Sequence, residues 1–304
     1  MQKFLPEGSL INTSSNQAYI SSIDNLNKAK NDLVILEGFA QLCTYSHELI
    51  IQLPCIKAIM PREECAIGIK EGKTKDVAII SRVGKPVCFI VIGFEERDGE
   101  RVAIVSRKIA QERCVDEYIS NLVPGEVIDA KVTHMEQFGC FVDIGCGIPS
   151  MIPIDSISVS RISHPSDRFD IGDLIKVIVK NKDEDKVYIS HKELLGTWSE
   201  NASLFNAGET VNGIVRSVES YGIFVELTPN LAGLAEPKPD VHVGQTASVY
   251  IKSINEDKMK IKLIIVDAYD FEPIKENRYF IEDGIIESWR YSPLGCKKQI
   301  ETIF

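Results

Sequence analysis

At 304 residues the chain is about twice the usual ~150 per domain, so two or more domains are expected. Hydrophobic residues make up 44% and charged residues 26%, a balance that supports folded cores and excludes a predominantly disordered chain. Thirty-four Lys and Arg against 44 Asp and Glu give a formal charge of −10, which argues against tight, non-specific wrapping of duplex DNA but leaves single-strand binding open.

In chain order, residues 1–35 form an N-terminal segment, of which 1–30 are polar and hold one short helix candidate at 25–30. No basic-then-apolar leader is visible at the start, and no apolar run approaches the ~20 residues that span a bilayer, so a cytoplasmic protein without membrane contact is expected. Residues 36–108 read as short strands: Gly38 opens the first, 48–53 carry the second, and 87–92 and 101–106 follow Val83-Gly84-Lys85 and the Asp98-Gly99 turn. Extra residues at about 61–83 read as an insertion between the third and fourth strands. A helix-favouring joint at 109–123 leads to 124–192, and a second joint at 193–206 leads to 207–266. Residues 267–304 form a C-terminal extension, in which 279–281 and 285–289 around Asp283-Gly284 read as a hairpin.

Self-similarity organises this pattern. The segments 125–144 and 208–227 align without a gap. Each has a Gly-Glu start, an alternating strand, an aromatic-Gly-x-aromatic step (Phe138-Gly139-Cys140-Phe141; Tyr221-Gly222-Ile223-Phe224) and a second strand. Further strands open after Ile171-Gly172-Asp173 and Val243-Gly244-Gln245. The copy at 36–108 is weaker, reading Tyr45-Ser46-His47-Glu48 where the aromatic step should be. About five short strands per unit are best protected by closure into a small barrel, and the OB-fold is the common solution at this size. The expected fold is therefore all-β dominated: three tandem five-stranded OB-fold barrels joined by short helices, with a small C-terminal α/β or hairpin extension.

The eight cysteines (Cys43, Cys55, Cys65, Cys88, Cys114, Cys140, Cys146 and Cys296) form no C-x-x-C pair, and His is too sparse to complete a zinc site. They read as buried, reduced thiols, and no metal or other cofactor is expected. A Gly-rich phosphate loop, a zinc-protease His pair and a nucleophile elbow are all missing, so the chain does not read as an enzyme and no small-molecule substrate is expected.

The ordered set of Gly-x-Val, Phe-Gly-x-Phe-Val, Val-Gly-Asp and a closing Asp-x-x-x-Arg-Ile pattern resembles the RNA-binding repeat of ribosomal small-subunit protein one, the S-one repeat. Residues 124–192 match nearly all of it, 207–265 match well, and 36–108 match in the second half. The whole chain looks like the stand-alone, three-repeat proteins of this family in bacteria. The resemblance implies single-stranded RNA binding (mRNA or rRNA), with Phe138, Phe141, Tyr221 and Phe224 stacking on bases. Alternatively, some of these rings fill the barrels, because residues i and i+3 on a regular strand face opposite sides unless a bulge at the glycine changes the parity. The family's closing acid-base pair falls on Asp183 and Lys186, and in the third copy at about Glu256 or Asp257 and Lys260. In the first copy it falls on Asp98 and Arg101. Lysine keeps the charge but loses the planar fork of arginine. Lys258, Lys260 and Lys262 form either a basic edge or a solvated protective one. His164 and Arg168, with Arg161, lie in the loop before the fourth strand and are candidates for RNA contact, the alternative being a capping role for 163–167.

Two functions are expected from these readings. The first is a non-catalytic RNA-binding protein acting in translation or mRNA handling, with the ribosome or other translation proteins as further partners. The second is a protein-docking scaffold attached to the ribosome or to an RNA enzyme, supported by the acidic charge and the degenerate first repeat.

Overall fold

A computed structural model describes residues 4–183, 186–271, 275 and 278–304. The chain divides into two compact units. One contains Met1–Leu122 with Asp129–Lys131 and Asp143–Pro149; the other contains Val123–Ile128, Val132–Val142 and Ser150–Phe304.

The first unit opens with two short helices, α1 (Ser14–Ile20) and α2 (Ile23–Asn31). Each is started by a hydroxyl that takes an otherwise orphaned N–H: Thr13 accepts from Asn16 and Ser22 from Asn25. The expected helix at 25–30 lies within α2, which buries Leu26 and Ala29. A barrel follows, built from β1 (Leu36–Cys43), β2 (Leu49–Gln52), β3 (Lys57–Met60), β4 (Pro86–Arg97) and β5 (Glu100–Ser106). Its strands close in the order β1-β2-β3-β5-β4, the OB arrangement. Alternation along the strands delivers Leu49, Ile51, Phe89, Val91, Ala103 and Val105 to its core. The insertion between β3 and β4 carries a 3-10 turn at Arg62–Glu64 and a short helix, α3 (Val77–Ile80), and contributes Cys65, Ile69 and Ile79 to the same core. Helix α4 (Arg107–Glu117), capped by Ser106, ends the repeat.

An ion network fastens residues 4–10 into this unit. The buried Glu7 carboxylate receives Arg107 at 2.6 and 2.9 Å and the Cys88 N–H at 3.0 Å. The Glu7 N–H donates to Asp143 Oδ2 at 2.7 Å. Burial works against ionisation of Glu7, but the guanidinium beside it prevails and holds its pKa below the ordinary carboxylate value. Glu37 has no such partner, and burial pushes it up to about 7 although Gly8 and Leu10 donate to it.

In the second repeat, β6 (Val127–Glu136), β7 (Gly139–Asp143), β8 (Pro149–Pro153), β9 (Leu174–Lys182) and β10 (Val187–Ser190) form a sheet in the order β10-β9-β6-β7-β8. This is the same cyclic order, with a side chain bridging the β8–β10 seam: Ser150 Oγ donates to the Val187 carbonyl at 2.7 Å. The expected turn between β9 and β10 includes 184–185, which lie outside the described residues. A 3-10 turn at Lys192–Leu195 and α5 (Trp198–Ala202), whose Thr197 and Glu200 make a capping box, lead to the third repeat. There β11 (Thr210–Glu219), β12 (Gly222–Thr228), β13 (Leu231–Ala235), β14 (Thr246–Asn255) and β15 (Lys260–Tyr269) close a barrel around Val215, Ile223, Val225, Val249, Ile251 and Leu263.

The C-terminal extension corrects the expected hairpin. Residues 285–289 do not pair back on 279–281. Instead β16 (Ser288–Arg290) pairs with β17 (Glu301–Ile303), and the Ile286 N–H donates to the Gly125 carbonyl at 3.0 Å. The drive is apolar, since Trp289 and Tyr291 join the core of the third repeat. Tyr291 also anchors by its hydroxyl, which donates to the Asn230 carbonyl at 2.6 Å. All eight cysteines are unpaired, and six are buried.

Candidate nucleic-acid interface

Strands β7 and β12 each begin at a glycine preceded by an aromatic residue. This placement resolves the parity problem in the sequence. Phe138 and Tyr221 lie in the turn ahead of the strand, 57% and 66% exposed, while Phe141 and Phe224 face outward from the strand and are half-buried. Both residues of each pair therefore reach the same outer face. The rings meet edge to face, with centroids 6.0 Å apart at 88° in the second repeat and 6.3 Å apart at 86° in the third. The irregularity expected at the glycine falls on the partner strand β11, between Val215 and Ser217. The glycines serve close approach: a Cβ on Gly139 would lie 2.5 Å from the Ile152 carbonyl oxygen, and one on Gly222 would lie 2.7 Å from that of Ala235.

Two residues of the second repeat were not singled out by the sequence. His134 stacks on Phe141 with centroids 6.1 Å apart and bonds Glu136 at 2.7 Å. Tyr188 is 45% exposed on β10, and its hydroxyl hydrogen-bonds the Asp183 carboxylate, which raises the phenol pKa. For both residues the signal was alternation alone, with an aromatic ring or imidazole at the outward position of a half-buried strand.

The remaining expected residues fare unequally. Lys186 and Lys260 are exposed at the start of, or just before, their final strands, in reach of solvent anions. Asp183 is exposed too, but its N–H is bonded to the Lys186 carbonyl at 2.9 Å and its carboxylate is engaged by Tyr188. Arg168 is a correction. It is buried and gives Glu226 of the third repeat two bonds of 2.8 and 2.9 Å, so it is a structural joint and is closed to RNA. Arg216 completes that joint, reaching Glu226 at 3.0 and 3.1 Å. His164, half-buried, takes the capping alternative. Its Nδ1 accepts the Ser166 N–H at 3.1 Å while Asp167 accepts the His164 N–H at 3.2 Å, a capping box that uses the imidazole locally.

The first repeat has no aromatic pair. Tyr45 projects fully into solvent, His47 adopts a left-handed φ of 61° with its Nε2 3.7 Å from Asp76, and Glu48 is ion-paired to Arg97 at 3.0 Å. Arg101, though exposed, lies over the Phe94 ring of its own repeat, 5.0 Å from its centroid. Among the described residues, no group of three or more His, Cys, Asp or Glu side chains is placed to hold a metal ion. No helix among them is long and apolar enough to cross a membrane.

Fold and surface together define a tandem OB-repeat protein that presents paired aromatics on the outer strand face of two repeats. Residues 122–192 match the family described as the S1 RNA binding domain. It is 31% identical over 197 residues to the small ribosomal subunit protein bS1 homolog of Bacillus subtilis strain 168, covering 59% of this chain and 51% of that one. It is 30% identical over 207 residues to small ribosomal subunit protein bS1 of Staphylococcus aureus strain COL, covering 62% and 53%. The chain spans about half the length of these curated relatives. A crystal structure of a Streptococcus pneumoniae multidomain protein with nucleic acid binding domains is similar at 14% identity and a TM-score of 0.25, over 77% of this chain and 73% of that one.

Proposed function

We propose that the protein binds single-stranded RNA, without catalysis, on the outer strand faces of its second and third repeats, and acts in the cytoplasm in translation or mRNA handling. The observation that carries this is the exposed edge-to-face aromatic pair, built twice by the same turn-glycine-strand geometry. A solvent-facing aromatic pair is costly to keep without a ligand, and every base offers a π-face to it. Kinship with bS1 proteins supports translation as the setting and the ribosome as a partner. The test is binding of a fluorescent oligoribonucleotide to the double variant Phe138→Ala/Phe141→Ala. Each stacked base lost should cost about 1–3 kcal/mol. A folded double variant that binds like the wild type refutes the site.

A docking role for the first repeat is the second reading, favoured by its surface. Phe39, Leu42, Val77 and Ile80 are all at least half exposed, while the stacking pair is replaced by ion-paired side chains. Expressed as the full chain with Phe39→Ser/Leu42→Ser, the protein should lose ribosome co-sedimentation and keep oligoribonucleotide affinity.

A further inference from the structure

In the third repeat, strand pairing sets Phe224 beside Leu234 and Leu234 beside Lys262, a single row across the outer face of β12, β13 and β15. The same row can be located in the second repeat from backbone bonds alone. The Gly125 and Gly208 N–H groups donate to the Val179 and Ile251 carbonyls, which makes those two residues equivalent. Val179 pairs with Ile189 and Ile251 with Leu263, so the outward residues one position earlier, Tyr188 and Lys262, are also equivalent. The Gly139 and Gly222 contacts to Ile152 and Ala235 make Met151 the counterpart of Leu234. The seam confirms the match: Ser150 Oγ bonds the Val187 carbonyl, and a Cβ built on Gly233 would lie 3.2 Å from the matching Ile261 carbonyl.

The row therefore reads Phe141, Met151, Tyr188 in the second repeat and Phe224, Leu234, Lys262 in the third. We infer that the third place in this row sets how each repeat holds a single strand: Tyr188 stacks one further base, and Lys262 neutralises one further phosphate. This assignment rests on the RNA-binding reading of the aromatic pairs. The geometry suits both roles. Tyr188 and Lys262 are exposed, on strands whose other side is fixed by Ile189 and Leu263 in the cores. The Asp183 carboxylate holds the Tyr188 hydroxyl, which restrains the ring before any base arrives and lowers the entropic cost of stacking. Lysine at the equivalent place offers a mobile point charge and no π-face. The second repeat should lean more on stacking, and the third should carry more of the salt dependence.

The experiment titrates the full chain and its variants with a uridine oligoribonucleotide at several salt concentrations. Tyr188→Ala should weaken binding about 5- to 150-fold, the span expected for one stacked base, and leave the salt slope unchanged. Tyr188→Phe, which keeps the ring, should stay within about threefold of wild type on the same stacking argument. Lys262→Ala should reduce the slope of log K against log salt by about 0.7, one phosphate contact to a single strand. If Phe138→Ala/Phe141→Ala loses affinity while Tyr188→Ala and Lys262→Ala match wild type, the third place is idle and this inference falls alone. If none of the variants loses affinity, the aromatic-pair site falls as well.

Discussion

Replacing Glu226 with Gln should destabilise the second unit by about 3–5 kcal/mol, the range for breaking a buried ion pair from one side. Glu226 is 3% exposed and takes four hydrogen bonds of 2.8 to 3.1 Å from two guanidiniums, Arg168 and Arg216. Glutamine keeps the shape but removes the negative charge, so two cations remain with side chains only 6% and 11% exposed and no countercharge at that position. Arg216 retains Asp167 at 3.5 Å, which moderates the loss, whereas among the described residues Arg168 retains the Ser158 hydroxyl at 3.2 Å. The assay is denaturant unfolding followed by tryptophan fluorescence. Both tryptophans, Trp198 and Trp289, lie in the core of the third repeat and report on the correct unit. The pH dependence supplies an internal check. Although burial opposes ionisation, Arg168 and Arg216 hold the Glu226 pKa below the ordinary 4.5. A depressed carboxylate contributes its stability fully above the unfolded value and loses it as pH falls through the folded one. The wild type should therefore lose stability on acidification below about pH 4.5 more steeply than Glu226→Gln. An unchanged midpoint at neutral pH would refute the joint as a stabilising element.

Gly139→Ala should disrupt the aromatic pair of the second repeat, because its Cβ meets the Ile152 carbonyl at 2.5 Å; reduced RNA affinity with loss of a few kcal/mol of stability checks this. His191 is buried between Phe169 and Tyr279, and burial pushes its pKa down to about 4. Its folded value lies below the unfolded ~6.5, so stability should fall by about 3 kcal/mol as pH drops from 6.5 to 4, and unfolding midpoints of His191→Gln should lack that slope.

The repeats and their barrels were legible because each one restates a local pattern: alternation, a glycine at the barrel bend, and a turn before each closing strand. The aromatic pair was legible for the same reason, though its parity was settled only by finding Phe138 and Tyr221 outside the strands. Contacts that join distant segments left no such mark. Arg168 and Glu226 stand 58 positions apart, and nothing near either names the other, so Arg168 looked like one more loop cation. Helix α1 opens on Ser14, Ser15 and Asn16, none of them a strong helix former; tertiary contact supports it, with Asn16 bonding the Glu37 backbone through both ends of its amide. The final strand pair was missed because Trp289 follows the burial available on the third repeat rather than the nearest turn signal.

The joint also bears on binding, which gives a prediction separable from stability. The second and third repeats belong to one compact unit, and the Arg168-Glu226-Arg216 cluster, with Asn230 bonding Val159, Lys192 and Gly196, is what fastens them. Two platforms in fixed relation act on a long strand as linked sites, so occupation of the first raises the effective concentration at the second. A strand too short to reach both gains nothing from that linkage. Arg168→Met removes the charge that bonds across the joint but leaves Arg216 on Glu226, keeping the carboxylate paired and each barrel core intact. Under conditions where this variant remains folded, its affinity for a short oligoribonucleotide should equal that of the wild type. Its affinity for a long one should fall by about 10-fold or more, the lower end of typical avidity gains. Equal losses for short and long strands would mean that the substitution damages a platform directly. No loss for either would mean that the two repeats bind independently and that the buried joint serves stability alone.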